Sequence, residues 1–89
     1  MWAARDGHTA TVNALAGTYN ANVEAVDDED KTALMFAAEN GHTDTVNALA
    51  GTHNANVEAV NQYGKTALML AANNGHTDTV KALRALRAP

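Results

Sequence analysis

Lys31-Thr32-Ala33-Leu34-Met35-Phe36-Ala37-Ala38-Glu39-Asn40-Gly41-His42-Thr43 decides the fold, because the same string returns 34 residues later as Lys65-Thr66-Ala67-Leu68-Met69-Leu70-Ala71-Ala72-Asn73-Asn74-Gly75-His76-Thr77. Two positions differ, Phe36/Leu70 and Glu39/Asn73. The same turn also occurs upstream as Gly7-His8-Thr9, and residues 1–26 laid over residues 35–60 differ at only five positions. A fixed period of this length signals a solenoid, in which no copy buries its apolar face alone and stability comes from stacking on neighbours.

Residues 27–60 make one complete copy, and its reading serves for the others. Thr32 is a natural N-cap, the apolar run behind it favours helix, and Gly41 is placed to end that helix. Leu34, Ala37 and Ala38 fall at i, i+3 and i+4, so they share a face that meets a neighbour. Thr43 to Ala50 reads as a second helix with Thr43 capping, Asp44 in the first turn and an apolar stripe of Val46, Leu49 and Ala50. Asn54 tolerates the left-handed conformation used to leave a helix. From Ala55 to Gly64 the chain is too polar and turn-rich for helix, and it suits an extended, hairpin-like loop into the next copy.

Composition bounds the function classes. At 89 residues there is room for one small domain. Ala supplies twenty of the hydrophobic residues, Leu and Val seven each, and Ile none. Each additional buried methylene contributes about 0.8 kcal/mol, so a core this rich in Ala predicts stability near the low end of the usual ~5–15 kcal/mol. Cys is absent, which removes disulfides, thiolate metal sites and Cys nucleophiles and fits a reducing, intracellular, cytoplasmic setting. No apolar run approaches a membrane span, and the start of the chain is not a signal peptide. The net charge of −4 divides into −7 over residues 1–60 and +3 over residues 61–89. An acidic body argues against nucleic acid, while Lys81, Arg84 and Arg87 suit the C-terminal end of a helix.

Two antiparallel helices with a projecting loop, repeated at this period, resemble the ankyrin repeat. Asn61-Gln62-Tyr63-Gly64-Lys65-Thr66-Ala67-Leu68-Met69 through Gly75-His76 is similar to the family's turn Gly, T-P-L-H, Ala pair and G-H. Ala55-Asn56-Val57-Glu58-Ala59 is similar to its A-D-V-N-A. The resemblance covers the whole chain. It implies an all-α, ankyrin-repeat solenoid of stacked antiparallel helix pairs with projecting hairpin-like loops, divided into a partial repeat (1–26), a full repeat (27–60) and a capping-like repeat (61–89). The chain departs from the pattern at Ala33, Met35, Ala67 and Met69, which replace Pro and His, and at Asp30, which replaces the turn Gly. One residue is inserted near His53-Asn54, and Gly17 and Gly51 weaken the second helices by about 1 kcal/mol each relative to Ala.

The chemistry-bearing residues have structural explanations. His8, His42 and His76 form a ladder, but repeats stack about 10 Å apart. Rings at that spacing cannot share an ion held at ~2.0–2.1 Å, so they are read as bonding nearby backbone or filling the seam between repeats. Asp27-Asp28-Glu29-Asp30 lacks the spaced carboxylates of a Ca²⁺ loop and reads as a solvated loop tip that steers basic partners. With no Ser, no Cys and no phosphate-cradling Gly loop, an enzyme, a metal site and a cofactor are not expected.

Surface recognition remains. In ankyrin proteins partners bind the loop fingertips and the exposed face of the first helices. Motif position carries that role onto Arg5 in the first copy and Asp28, Glu29, Lys31, Met35, Glu39 and Asn40 in the middle copy. In the last copy it falls on Gln62, Tyr63, Lys65, Met69, Asn73 and Asn74, with Tyr63 as the best single anchor. The expected function is a non-catalytic module binding another protein. The rival is self-association, in which a bare end bearing Trp2 stacks or swaps with another chain head to tail.

Overall fold

A computed structural model describes residues 24–87. Over that span two helix pairs are stacked, and no strand occurs among the described residues. The first pair is α1 (Ala33–Glu39) and α2 (Thr43–Val46), the latter continuing as a π-helical segment, Asn47–Thr52. The second pair is α3 (Ala67–Asn73) and α4 (Thr77–Arg87). Within each pair the helices run antiparallel, and α3 stacks on α1 while α4 stacks on α2.

Local chemistry sets these boundaries. The Thr32 hydroxyl accepts from the Met35 amide at 3.3 Å, and Thr66 does the same for Met69, which satisfies one of the donors left open at a helix start. Each first helix closes on a left-handed Gly, Gly41 at φ 72° and Gly75 at φ 74°. Asn54 and Asp30 take the same conformation at φ 57° and 61°, as their short polar side chains permit.

Two local expectations are corrected. Thr43 does not cap α2; His42 holds that position without a side-chain bond, and the Thr43 hydroxyl instead pairs with the Thr79 hydroxyl of the next repeat at 2.8 Å. The second helix does not stop at Ala50 either. Its end widens into the π turn, with His53 N donating to Ala48 O at 3.0 Å and Ala55 N to Leu49 O at 2.9 Å. That widening absorbs the inserted residue, as π-bulges do, and it leaves Ala48 buried beside Val46 and Leu49.

The core lies between the two pairs. Leu34, Ala37, Ala38, Val46 and Leu49 from the first pair meet Ala67, Leu70, Ala71 and Leu83 from the second, with Ala55 below. Small side chains let the helices approach closely, and His76 closes the seam by donating from Nε2 to the Glu39 carbonyl at 3.0 Å. Its ring lies so near Gly41 that a Cβ there would sit 2.6 Å from Nδ1.

Candidate functional site: the loop fingertips

Asp27 and Asn61 build the two fingertips in the same way. The Asp27 carboxylate accepts from the amides of Glu29 and Lys31, both at 2.9 Å, and the Asn61 carbonyl oxygen accepts from Tyr63 at 2.9 Å and Lys65 at 3.1 Å. A side chain that mimics a turn in this way holds the next residues outward. Across each tip the backbone closes again, Asp27 N to Lys31 O at 3.1 Å and Asn61 N to Lys65 O at 3.0 Å. Asp27 is therefore committed to shape, whereas Asp28, Glu29 and Asp30 are exposed.

The tips are joined to one another. Gln62 N donates to Glu29 O at 3.0 Å, and the Tyr63 hydroxyl donates to the Glu29 carboxylate at a longer 3.3 Å. At the loop base Asn56 N donates to the Glu24 carboxylate at 2.8 Å, and further along Arg87 pairs with Glu58 at 2.7 Å. Tyr63 is 66% exposed despite its bond.

The residues expected to meet a partner are placed in different ways. Asp28, Glu29, Gln62, Tyr63, Lys65, Asn73 and Asn74 are exposed on the tips and the end of α3. Lys31 and Glu39 are tied to each other: the ammonium contacts both carboxylate oxygens, at 3.0 and 3.1 Å, and lies 4.9 Å from the centre of the Phe36 ring. Asn73 replaces Glu39 in the last copy, which leaves Lys65 exposed. The amides of Asn40 and Asn74, though exposed, donate to the carbonyls of Phe36 and Leu70 at 2.8 Å and finish their helices.

Met35 is corrected. It is 1% exposed and belongs to the core, because the helical register turns it into the seam with the following repeat. Met69 occupies the same register and is 46% exposed. Arg5, like Trp2 and the rest of residues 1–23, lies outside the described residues.

Sequence reasoning passed over Val26 and Val60. They stand 34 residues apart at the foot of each fingertip and are 50% and 51% exposed. The signal was an apolar residue recurring in register directly before the polar tip, at Val26-Asp27 and Val60-Asn61, where no helix or strand requires it. A shallow polar cleft of about 350 Å³ runs on a different edge, along the Gly41 and Gly75 turns, lined by Thr43, His76, Thr77 and Asp78. No group of three His, Cys, Asp or Glu suited to a metal occurs among the described residues.

Stacked helix pairs on a fixed period, with bonded loop tips along one edge, define a helical repeat solenoid. The chain belongs to the ankyrin-repeat family: a family model described as ankyrin repeats, in three copies, matches residues 1–88. Ankyrin repeats are protein-interaction modules. No curated protein matches the chain. Among solved structures it is similar to a chain from the complex of the predatory endopeptidase Bd0816 of Bdellovibrio bacteriovorus with the immunity protein Bd3460. That similarity has a TM-score of 0.87 and 33% identity over 98% of this chain, and it spans 45% of the other. No helix among the described residues is long and apolar enough to cross a membrane.

Proposed function

We propose that this chain is a non-catalytic module that takes a partner protein on its fingertips and the adjoining face of its first helices. The observation that carries this reading is the exposed Tyr63, held on a tip that is bonded to its neighbour through Gln62 and Glu29. A large, amphipathic ring on a pre-organised loop is the kind of group on which binding energy concentrates. Val26 and Val60 add apolar area at the foot of the tips, and Asp28, Glu29 and Asp30 set a negative field along one of them. Differences between the copies point the same way: Asp28-Glu29-Asp30 against Gln62-Tyr63-Gly64 varies on a scaffold that hardly varies.

The structural neighbour comes from a protein–protein complex, which supports a protein as the ligand. A cytoplasmic setting belongs to the proposal and rests on the lack of Cys. Affinity capture followed by titration calorimetry on the partner recovered tests the reading. Tyr63→Ala is expected to weaken binding by roughly tenfold or more, and Asp28→Lys to slow association at low salt. A partner that binds both variants as tightly as the parent would place recognition elsewhere.

A further inference from the structure

The first helices α1 and α3 end in the same two letters, Asn40-Gly41 and Asn74-Gly75, and of the ten Asn in the chain only these two precede Gly. That pairing is chemically unstable. The nitrogen of the following residue can attack the Asn side-chain carbon and close a cyclic succinimide, which is one reason Asn is thermolabile. A Cβ on that following residue obstructs the attack, and Gly has none.

The structure engages every group that this reaction needs. The leaving group, Nδ2 of Asn40, donates to the Phe36 carbonyl at 2.8 Å. The nucleophile, the Gly41 nitrogen, donates to the Ala38 carbonyl at 3.2 Å, and His42 N donates to Ala37 O at 2.9 Å directly after it. The neighbouring repeat fastens the turn as well, since the His76 ring rests against Gly41 and its Nε2 holds the Glu39 carbonyl at 3.0 Å. In α3 the bonds inside the repeat are the same, Nδ2 of Asn74 to Leu70 O at 2.8 Å and Gly75 N to Ala72 O at 3.1 Å. Attack requires both donors to leave these acceptors. Helix ends open locally at lower cost than the whole fold, and Asn40 is exposed to the water that the later step consumes.

We infer that Asn40-Gly41 is a self-modifying site, which the folded chain holds unreacted and which opening of the α1 end releases to form isoaspartate. The Gly41 nitrogen bonds to Asn40 Cγ, its proton and the Nδ2 group depart together as ammonia, and water then opens the ring. Hydrolysis at one carbonyl leaves aspartate. Hydrolysis at the other leaves isoaspartate, with the side-chain methylene now in the main chain. Both products conflict with the turn: the Phe36 carbonyl loses a donor, and a carboxylate arrives beside Glu39 at the helix C-terminus, where negative charge is unfavourable. Isoaspartate also lengthens the main chain under the His76 ring, where one added Cβ on Gly41 already comes within 2.6 Å of Nδ1. Conversion therefore loosens the seam between the two helix pairs, whatever protein the fingertips take.

Incubation of the chain in mildly alkaline buffer, followed by peptide mapping with mass spectrometry, tests this. Amide-to-acid conversion is expected at Asn40 and Asn74 ahead of the other eight Asn. It is expected to run faster in the urea-unfolded chain than in the folded one by roughly tenfold or more. Chromatography against synthetic standards is expected to find isoaspartate at position 40. Ion exchange then divides an aged Asn74→Gln sample into converted and unconverted chains, and the converted chains are expected to unfold at the lower urea concentration. Conversion of Asn40 in urea no faster than that of Asn47 would remove the site. Equal rates in the folded and unfolded chain would remove the gate, and equal urea midpoints for the two fractions would remove the effect on the seam; each of these results overturns the assignment.

Discussion

Gly41 and Gly75 share a letter, a turn and a left-handed φ, but they do different amounts of structural work. Adding a Cβ at either position incurs the left-handed penalty of roughly 1–2 kcal/mol for an L-residue. At Gly41 the new methyl would also strike the His76 ring and push it off the Glu39 carbonyl, adding about 1–3 kcal/mol of overpacking and lost hydrogen bonding. Gly41→Ala is therefore expected to destabilise the chain by clearly more than Gly75→Ala, as measured by urea titration of the helical signal. Equal costs would mean that the histidine seat contributes little. Asp27 and Asn61 illustrate the same division at the tips, where the residue that shapes the loop is turned inward and its neighbours meet solvent.

The helices show which features the letters carry and which they do not. Thr32 and Thr66 as caps, the closing glycines and the left-handed Asn54 could all be read directly, because each depends on its own few neighbours. The exit of the second helix could not. An inserted residue was visible near His53, but whether a helix widens, kinks or ends early depends on what it packs against, and here burial of Ala48 and Leu49 favours the π turn. Met35 was placed on the exposed face for a related reason, since its register alone does not say how much of that side the following repeat covers. Val26 and Val60 escaped notice because neither belongs to a helix. Within the π segment, Gly51 sits at an ordinary φ, and a Cβ there would touch only Leu86 Cδ2 at 3.6 Å. Gly51→Ala is accordingly expected to stabilise the chain by about 0.5–1 kcal/mol, seen as a higher urea midpoint at unchanged slope. A lower midpoint would show that the π turn needs the flexibility of Gly.

At the scale of the molecule, the core consists of seams between repeats. Leu34, Ala38 and Val46 owe their burial to the following pair, and each cross-repeat bond links elements about 34 residues apart. A chain cut after residue 60 is thus expected to lose cooperative unfolding altogether, since its last helix pair would have its apolar side uncovered. Circular dichroism under urea would show this as a broad, shallow transition. A sharp transition with most of the parent's slope would mean that residues 1–60 fold as an independent unit.

The cross-repeat bonds also bear on how such a chain changes over generations. His76 reaches a main-chain carbonyl, Gln62 N reaches another, and the hydroxyl pair joins Thr to Thr, so each link uses either the polypeptide itself or a letter present in every copy. An unequal crossover that adds or removes one 34-residue unit would leave every such link with a matching partner on both sides. The genetic unit of lengthening coincides with the mechanical unit of cohesion, and only private pairs such as Arg87 with Glu58 would need to be found anew.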